Sequence, residues 1–459
     1  MWDARMMHSD APAPSAVPAQ LDLEVTGVAH GGVFVARHQA PGEERARVVF
    51  VPDTIPGERV RVTLTDTKKA SFWRAEVDEV LTASADRQPH VWPAADLSAP
   101  ASDRPGGADF GHIRLDRQRA LKSEVLADAL TRFGGGAAST TPPQVAGVIA
   151  DANGAESADG TGWRTRVSLH VDADGRVGPY AQGSHRVVLI DDLPLATPEI
   201  AEVARSLSAG GASSFSPGRI DLVQPADGRV RIIARPEVPR TKRVKRGGRP
   251  TQAVINNPAA REVVHERVGE REFAVDAGGF WQVHRLAAHT LSTVVAELIA
   301  GRVDPQAQHL DLYGGVGLFA ATIGDAGGPS TRVTSVESDA RATEHANANL
   351  LDWVWARAET GRVDRWLTNL HATASAAERE QLSRGVVLLD PPRAGAGQDV
   401  SAQIAALQPA SVVYVACDPV AFARDLAVFA EAGYAVTDVR GHDLFPHSHH
   451  VEAVALLQR

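Results

Sequence analysis

The sequence predicts an α/β protein with three parts. A small antiparallel β-barrel comes first, a central β-rich region follows, and a doubly wound domain with a largely parallel sheet closes the chain. Three patterns carry this reading. From His309 onward, short apolar runs alternate with helical stretches to the C-terminus, which is the rhythm of βαβ units. From Leu21, short alternating runs are broken by glycine, as in small barrels. Between Pro143 and Pro239, two alternating stretches flank a DADG turn, as paired strands do.

A length of 459 residues suits two or three domains, each with its own core. The expected divisions are a disordered tail at 1–20, the barrel at 21–84, the central α+β region at 85–260 and the doubly wound domain at 261–459. The apolar fraction of 44% and charged fraction of 22% are those of a soluble globular protein. The single cysteine, Cys417, excludes an intramolecular disulfide and suits the cytoplasm. It also excludes a cysteine-ligated zinc or iron–sulfur site built by this chain alone. No basic segment followed by an apolar core opens the chain, and no apolar run nears the roughly 20 residues of a membrane span. A cytoplasmic protein with no membrane partner, acting as a monomer, is the expectation. The net charge of −9 weighs mildly against nucleic-acid binding, but local patches decide that question.

Met1–Gln20 is rich in Ala, Pro and Ser, as disordered tails are. In the barrel segment, Lys68, Lys69, Phe72, Trp73 and Arg74 gather cations and rings on one connection. Cations meet phosphates and rings stack on bases, although a solvated loop on an ordinary barrel has the same composition. Leu121, Val125, Leu126 and Leu130 have helical spacing, closed by glycine. Arg164, Arg166, His185 and Arg186 lie on the central strands, facing either RNA or solvent. Arg240–Arg249, which includes Lys242 and Arg243, is the densest basic run. It serves either as an RNA contact or as a solvated linker.

The chemistry gathers near the C-terminus. In HLDLYGGVGLFA a strand ending at Asp311 leads into a turn with Gly314, Gly315 and Gly317. Glycines let a ligand approach the backbone. The next strand ends in Glu337, placed to hold a ribose diol. A nucleotide-like cofactor follows, and S-adenosylmethionine and nicotinamide both remain open at this point. In VVLLDPPRAGAG a strand ends at Asp390 before a rigid Pro391-Pro392-Arg393 corner. In VVYVACDPVAFARDL a strand delivers Cys417 to its tip. A lone cysteine is also commonly an inert buried hydrophobe. In HDLFPHSHHVEAVALL, Glu452 follows His442, His447, His449 and His450. The histidine spacing matches no familiar zinc pattern, whereas a half-buried carboxylate serves as a general base.

The motifs GGFWQVH, DLYGGVGLFA, VES, LLDPPRAG, VACDPVAFARDL and FPHSHHVE occur in this order. Together they resemble the RNA uracil-5 methyltransferase family, which makes 5-methyluridine. The phrase VVFVPDTIPGERVRV resembles the TRAM domain, an RNA-binding barrel. The resemblance implies a Rossmann-like S-adenosylmethionine-dependent methyltransferase domain and an RNA substrate. It makes Cys417 the nucleophile toward uracil C6 and Glu452 the base that removes the C5 proton. Gln282, Asp311, Tyr313, Gly315, Glu337 and Asp390 become cofactor-binding residues. Lys68, Lys69, Trp73, Lys242, Arg243 and Arg393 become RNA contacts. The TRAM-like barrel leans toward 23S ribosomal RNA. A tRNA enzyme and a non-catalytic RNA-binding or folding protein are the alternatives. Many members of the family bind an iron–sulfur cluster through CGGC and CPL segments. Here the matching stretches read Pro105–Asp109, PGGAD, and Leu193–Leu195, LPL, so a cluster-free protein is expected. His284 stands where Asn is usual.

Overall fold

The computed structural model describes residues 19–39, 45–69, 71–136, 142–152, 154–210, 215–237 and 257–459. Lys242 and Arg243, with the rest of the basic run, lie outside the described residues, as does almost all of the expected tail. The described residues form two compact units, one reaching Ala85 and one made of Asp86–Arg459 together with the turn His30–Gly32.

The first unit is a closed barrel. Its strands are β1 (Gln20–Ala29), β2 (Val33–His38), β3 (Arg47–Val51), β4 (Arg59–Asp66) and β5 (Phe72–Thr82), in the order β1-β2-β3-β5-β4. Alternation turns Leu21, Leu23 and Val25 of β1 inward, and Trp73 and Ala75 of β5 likewise. The expected role of Trp73 in base stacking is therefore corrected. Its ring is only 2% exposed and serves the barrel core, because it falls on the inward register of β5. The adjacent Phe72 has the more open ring, and Lys69 Nζ lies 4.8 Å from its centroid. Lys68 and Lys69 are exposed.

In the second unit, β6 (Val145–Ala146) precedes β7 (Arg166–Val171), β8 (Val177–Gly178), β9 (Gly218–Val223) and β10 (Arg231–Pro236). The last four form an antiparallel sheet in the order β10-β9-β7-β8. A hairpin follows, β11 (Val263–Val268) with β12 (Arg271–Asp276). The remaining strands are β13 (Gln308–Leu312), β14 (Arg332–Glu337), β15 (Ala356–Thr360), β16 (Val386–Leu389), β17 (Ser411–Ala416), β18 (Ala435–His442) and β19 (Glu452–Gln458). With β6 they build one eight-stranded sheet, ordered β15-β14-β13-β16-β17-β19-β18-β6.

Neighbours from β15 through β17 are parallel. β19 runs antiparallel to both β17 and β18. The central strands are buried on both faces because helices cover both. Val386, Leu388, Val413 and Val415 pack with helices Ala287–Ile299 and Leu318–Gly327. Val387, Leu389, Val412 and Tyr414 pack with helices Leu115–Phe133, Gln398–Ala406 and Pro419–Glu431. Such strands read as continuous apolar runs. The strand order reverses direction between β13 and β16, which opens a crevice at their carboxyl ends. Among the described residues, no helix is long and apolar enough to cross a membrane.

A buried ion pair ties the segment before β19 to the earlier chain. Lys122 Nζ, on helix Leu115–Phe133, lies 2.5 Å from Asp443 Oδ1 and donates to Phe445 O at 3.0 Å. Lys122 and Asp443 are almost wholly inaccessible, and Arg119 adds a longer contact to Asp443 at 3.4 Å. Removing one member leaves a buried charge uncompensated. Asp443→Ala is expected to cost about 3–5 kcal/mol in chemical denaturation. The double variant Lys122→Met, Asp443→Leu should recover most of that loss.

Candidate active site

A cleft of about 1500 Å³ opens at the carboxyl ends of the sheet. Its walls include Gln282, Tyr313, Gly315, Glu337, Asp390, Arg393, Cys417 and Glu452. These expected site residues come from distant stretches of chain: most lie at or just beyond the end of a sheet strand, whereas Gln282 comes from the loop between the β11–β12 hairpin and helix Ala287–Ile299. Tyr313 and Gly315 follow β13, Glu337 ends β14, and Asp390 follows β16. Cys417 follows β17 and Glu452 begins β19. The register pairs Ala416 with Ala453, so the next residue outward on each strand is Cys417 on one and Glu452 on the other.

The turn after β13 is built to let a ligand come close. Tyr313 has φ 64° and Gly315 φ 54°, a region that a bulky residue adopts only under constraint. A Cβ on Gly315 would meet nothing within 4 Å, so its face is open. A Cβ on Gly314 would overlap Ser335 Oγ and Asp311 Oδ2. Asp311 is accordingly corrected from a cofactor contact to a support beneath the turn. It is fully buried and accepts from Ser335 Oγ at 3.0 Å and Ala320 N at 3.2 Å. Burial, aided by the nearby Glu337 charge, pushes its carboxyl up to about 7. The Gly315 amide donates to Glu337 Oε2 at 3.3 Å. The open glycine face and the acid at the end of β14 fit a nucleoside cofactor whose ribose is held by Glu337.

At the other end of the cleft, Cys417 is half-buried. Burial pushes its thiol up to about 12, and the Glu452 and Asp390 charges push the same way. Glu452 is 5% exposed, and burial with the Asp390 charge raises its carboxyl well above the ordinary range. Burial and the Asp311 charge push Asp390 up to about 7. Arg393 donates to His450 Nε2 at 3.2 Å, which places the imidazole proton of His450 on Nδ1. Burial first, then His449 and Arg393, lowers His450 to about 3, so its ring is neutral.

The loop bearing Arg393 is anchored from behind. Asp425 Oδ2 accepts from Tyr414 OH at 2.6 Å, Ala396 N at 2.7 Å and Gly397 N at 3.1 Å. The four C-terminal histidines serve separate contacts. His442 faces Gly147 O, His447 faces Gln118 and Asp159 O, and His449 faces Asp109. No metal-binding cluster is found among the described residues.

Phe280 and Asp425 gained importance only in the structure, which also distinguishes Arg164 from the other central arginines. Phe280, in GGFWQVH, is 72% exposed at the cleft. Its signal in the sequence was an aromatic beside two glycines. Asp425 gave no sequence signal beyond its place on a helix. Arg164 lines the cleft from the central sheet, whereas Arg166 is engaged by Glu266 at 3.1 Å.

The chain is similar along its length to a tRNA (uracil-54, C5)-methyltransferase of Pyrococcus abyssi, whose structure holds S-adenosyl-L-homocysteine. The TM-score is 0.62 at 20% identity, covering 95% of this chain and 99% of that one, a likeness of fold. The sheet order, the glycine turn and the acid at the end of β14 are those of an S-adenosylmethionine-dependent methyltransferase. The tRNA (Uracil-5-)-methyltransferase family model matches residues 376–459, and the TRAM domain model matches 17–77. An uncharacterized RNA methyltransferase of Streptomyces avermitilis is 36% identical over 96% of this chain and 98% of its own length. The 23S rRNA (uracil(1939)-C(5))-methyltransferase RlmD of Halomonas elongata is 28% identical over 95% and 89%. The chain belongs to the RNA uracil-5 methyltransferase family.

The buried carboxyls carry a cost that depends on pH. A carboxyl whose folded pKa is raised holds a proton that the unfolded chain releases. Stability therefore falls as pH rises from the ordinary carboxylate range through the folded value. Glu452→Gln removes that penalty. The variant is expected to melt several degrees above the unaltered protein at pH 8, with the difference closing near pH 4, as read by calorimetry.

Proposed function

We propose that this enzyme forms 5-methyluridine in 23S ribosomal RNA, with Cys417 as a covalent nucleophile. The observation that carries the mechanism is the pairing of β17 with β19, which sets the only thiol beside a buried carboxyl at the cleft. The ribosomal target is supported by the relatives of Halomonas elongata and Shewanella sediminis, both named for 23S rRNA. A tRNA target is the second reading, suggested by the name of the Pyrococcus abyssi enzyme.

Gln282, Tyr313, Gly315, Glu337 and Asp390 would hold S-adenosylmethionine, which supplies an electrophilic methyl group when bound. The target uridine must be unpaired or flipped to reach the thiol. Cys417 gives up its proton to solvent and adds through Sγ to C6 of the uracil, and the electron pair of the C5–C6 double bond makes C5 a carbon nucleophile. After C5 gains the methyl, the Glu452 carboxylate takes the C5 proton. The Sγ–C6 bond then breaks, which restores the C5–C6 double bond and the thiolate. At rest the thiol is protonated and Glu452 is held toward its acid form. Both groups must ionise when substrate binds.

The iron–sulfur cluster known in many family members does not fit this chain. Ala108 and Leu193, on the stretches matching the cluster-binding segments, pack with Trp92 in one apolar core. That packing fills the place with hydrocarbon and offers no ligand. We further infer a monomer acting in the cytoplasm, without a membrane partner.

RNA substituted with 5-fluorouracil tests target and nucleophile together, since fluorine at C5 cannot leave as a proton. With S-adenosylmethionine present, a covalent adduct should form on 23S rRNA and not on tRNA, and should vanish in Cys417→Ala. An adduct that survives this substitution removes the nucleophile, and one found only on tRNA transfers the target. Protein purified without oxygen should contain far less than one equivalent of iron and sulfide. Stoichiometric amounts of both would refute the cluster-free reading.

A further inference from the structure

A second cavity of about 660 Å³ lies on the central sheet, lined in part by Arg166, Tyr180, Gln182, Asp221 and Arg235. Its volume falls within the range of small-ligand pockets, about 300–1,000 Å³. It shares Arg164, Gly278, Gly279 and Val283 with the catalytic cleft, so these residues form the partition between the two spaces. The main chain of Arg164 is pinned. Its N–H donates to Leu195 O at 2.8 Å, and its carbonyl accepts from Thr197 N at 3.0 Å.

The arginines of the second cavity differ in one respect. Arg166 meets Glu266 at 3.1 Å, and Arg219 and Arg235 meet Asp221 at 2.9 and 2.5 Å. Among the described residues no carboxylate lies against Arg164. Its Nε donates to Arg166 O at 3.0 Å, and its guanidinium stands 5.7 Å from the Trp163 ring centroid. A half-buried cation without a counter-charge is costly. It becomes favourable when a ligand brings a permanent anion, and the guanidinium fork matches phosphate.

Two adjoining cavities divided by an unpaired arginine suit two consecutive nucleotides. With the target base in the catalytic cleft and its neighbour in the second cavity, the linking phosphate falls at the partition. We propose that Arg164 clamps the phosphate joining the target uridine to the adjacent nucleotide, whose base occupies the second cavity. This rests on the RNA-methylating reading above and specifies how the strand enters.

The test uses the full-length protein and short single-stranded RNAs with one uridine. One phosphate at a time is replaced by an uncharged methylphosphonate. The unaltered protein should lose about tenfold or more in affinity when one phosphate flanking the uridine is neutralised. Arg164→Gln should lose about as much on native RNA and lose nothing further on that modified RNA. Its slope of log affinity against log salt should also drop by about one. Arg164→Lys should keep the slope, and S-adenosylhomocysteine should bind all three proteins equally. A flat methylphosphonate scan on the unaltered protein overturns the proposal even if Arg164→Gln does not fold. Penalties that add in the variant, or a fall in kcat with RNA affinity unchanged, overturn it as well. An unaltered protein that binds and methylates no uridine RNA overturns the function reading and this inference with it.

Discussion

The register between β17 and β19 decides which groups can meet in this enzyme. Ala416 faces Ala453 across antiparallel strands, and the thiol and the carboxyl are the next residues beyond that pair. A one-residue slip would turn alternate side chains to the opposite face of the sheet. The register is held by burial, since Ser411–Ala416 is inaccessible throughout and β19 is buried over its first six residues. The placement of Cys417 beside Glu452 thus follows from the packing of these two strands between helical layers.

The same burial sets the electrostatics. Three carboxyls, Asp311, Asp390 and Glu452, sit close enough for their charges to oppose one another. No lysine or arginine forms an ion pair with any of them among the described residues, while Lys122 and Asp443 neutralise each other a short way along the chain. The difference separates structural charge from reactive charge. A paired group holds a loop in place, whereas burial and mutual repulsion favour the protonated form of the three unpaired carboxyls.

Much of this was legible in the sequence. The strands before Asp390 and Cys417 are apolar runs with a polar residue just past the tip, and Glu337 ends its strand, and all three residues line the cleft. The glycine turn announced a close backbone approach. What stayed hidden has physical causes. β15 (ARAET) lies at the sheet edge, half-exposed, so it shows no apolar run. β6 is two residues long and belongs to its sheet only through tertiary pairing. Trp73 was misread because composition registers an aromatic near lysines and strand register alone tells which way it points. Asp311 was misread because an acid at a strand tip can serve a ligand or the turn above it, and Gly314 decides only when its missing Cβ is seen in space. Arg164 was visible as a cation, but its lack of a partner is a property of the folded surroundings.

The eighth strand has a wider consequence. β6 extends the catalytic sheet at its far edge, and helix Leu115–Phe133 contributes Leu126 and Leu130 to the core shared with β17 and helix Pro419–Glu431. Residues well before 260 are therefore part of the catalytic fold. The methyltransferase portion is consequently not a cassette. Recombination with a relative at the apparent boundary would exchange half of one core and leave the other half behind. Within this second unit, an exchange of the region before 260 is expected to keep its fold only when the catalytic sheet moves with it.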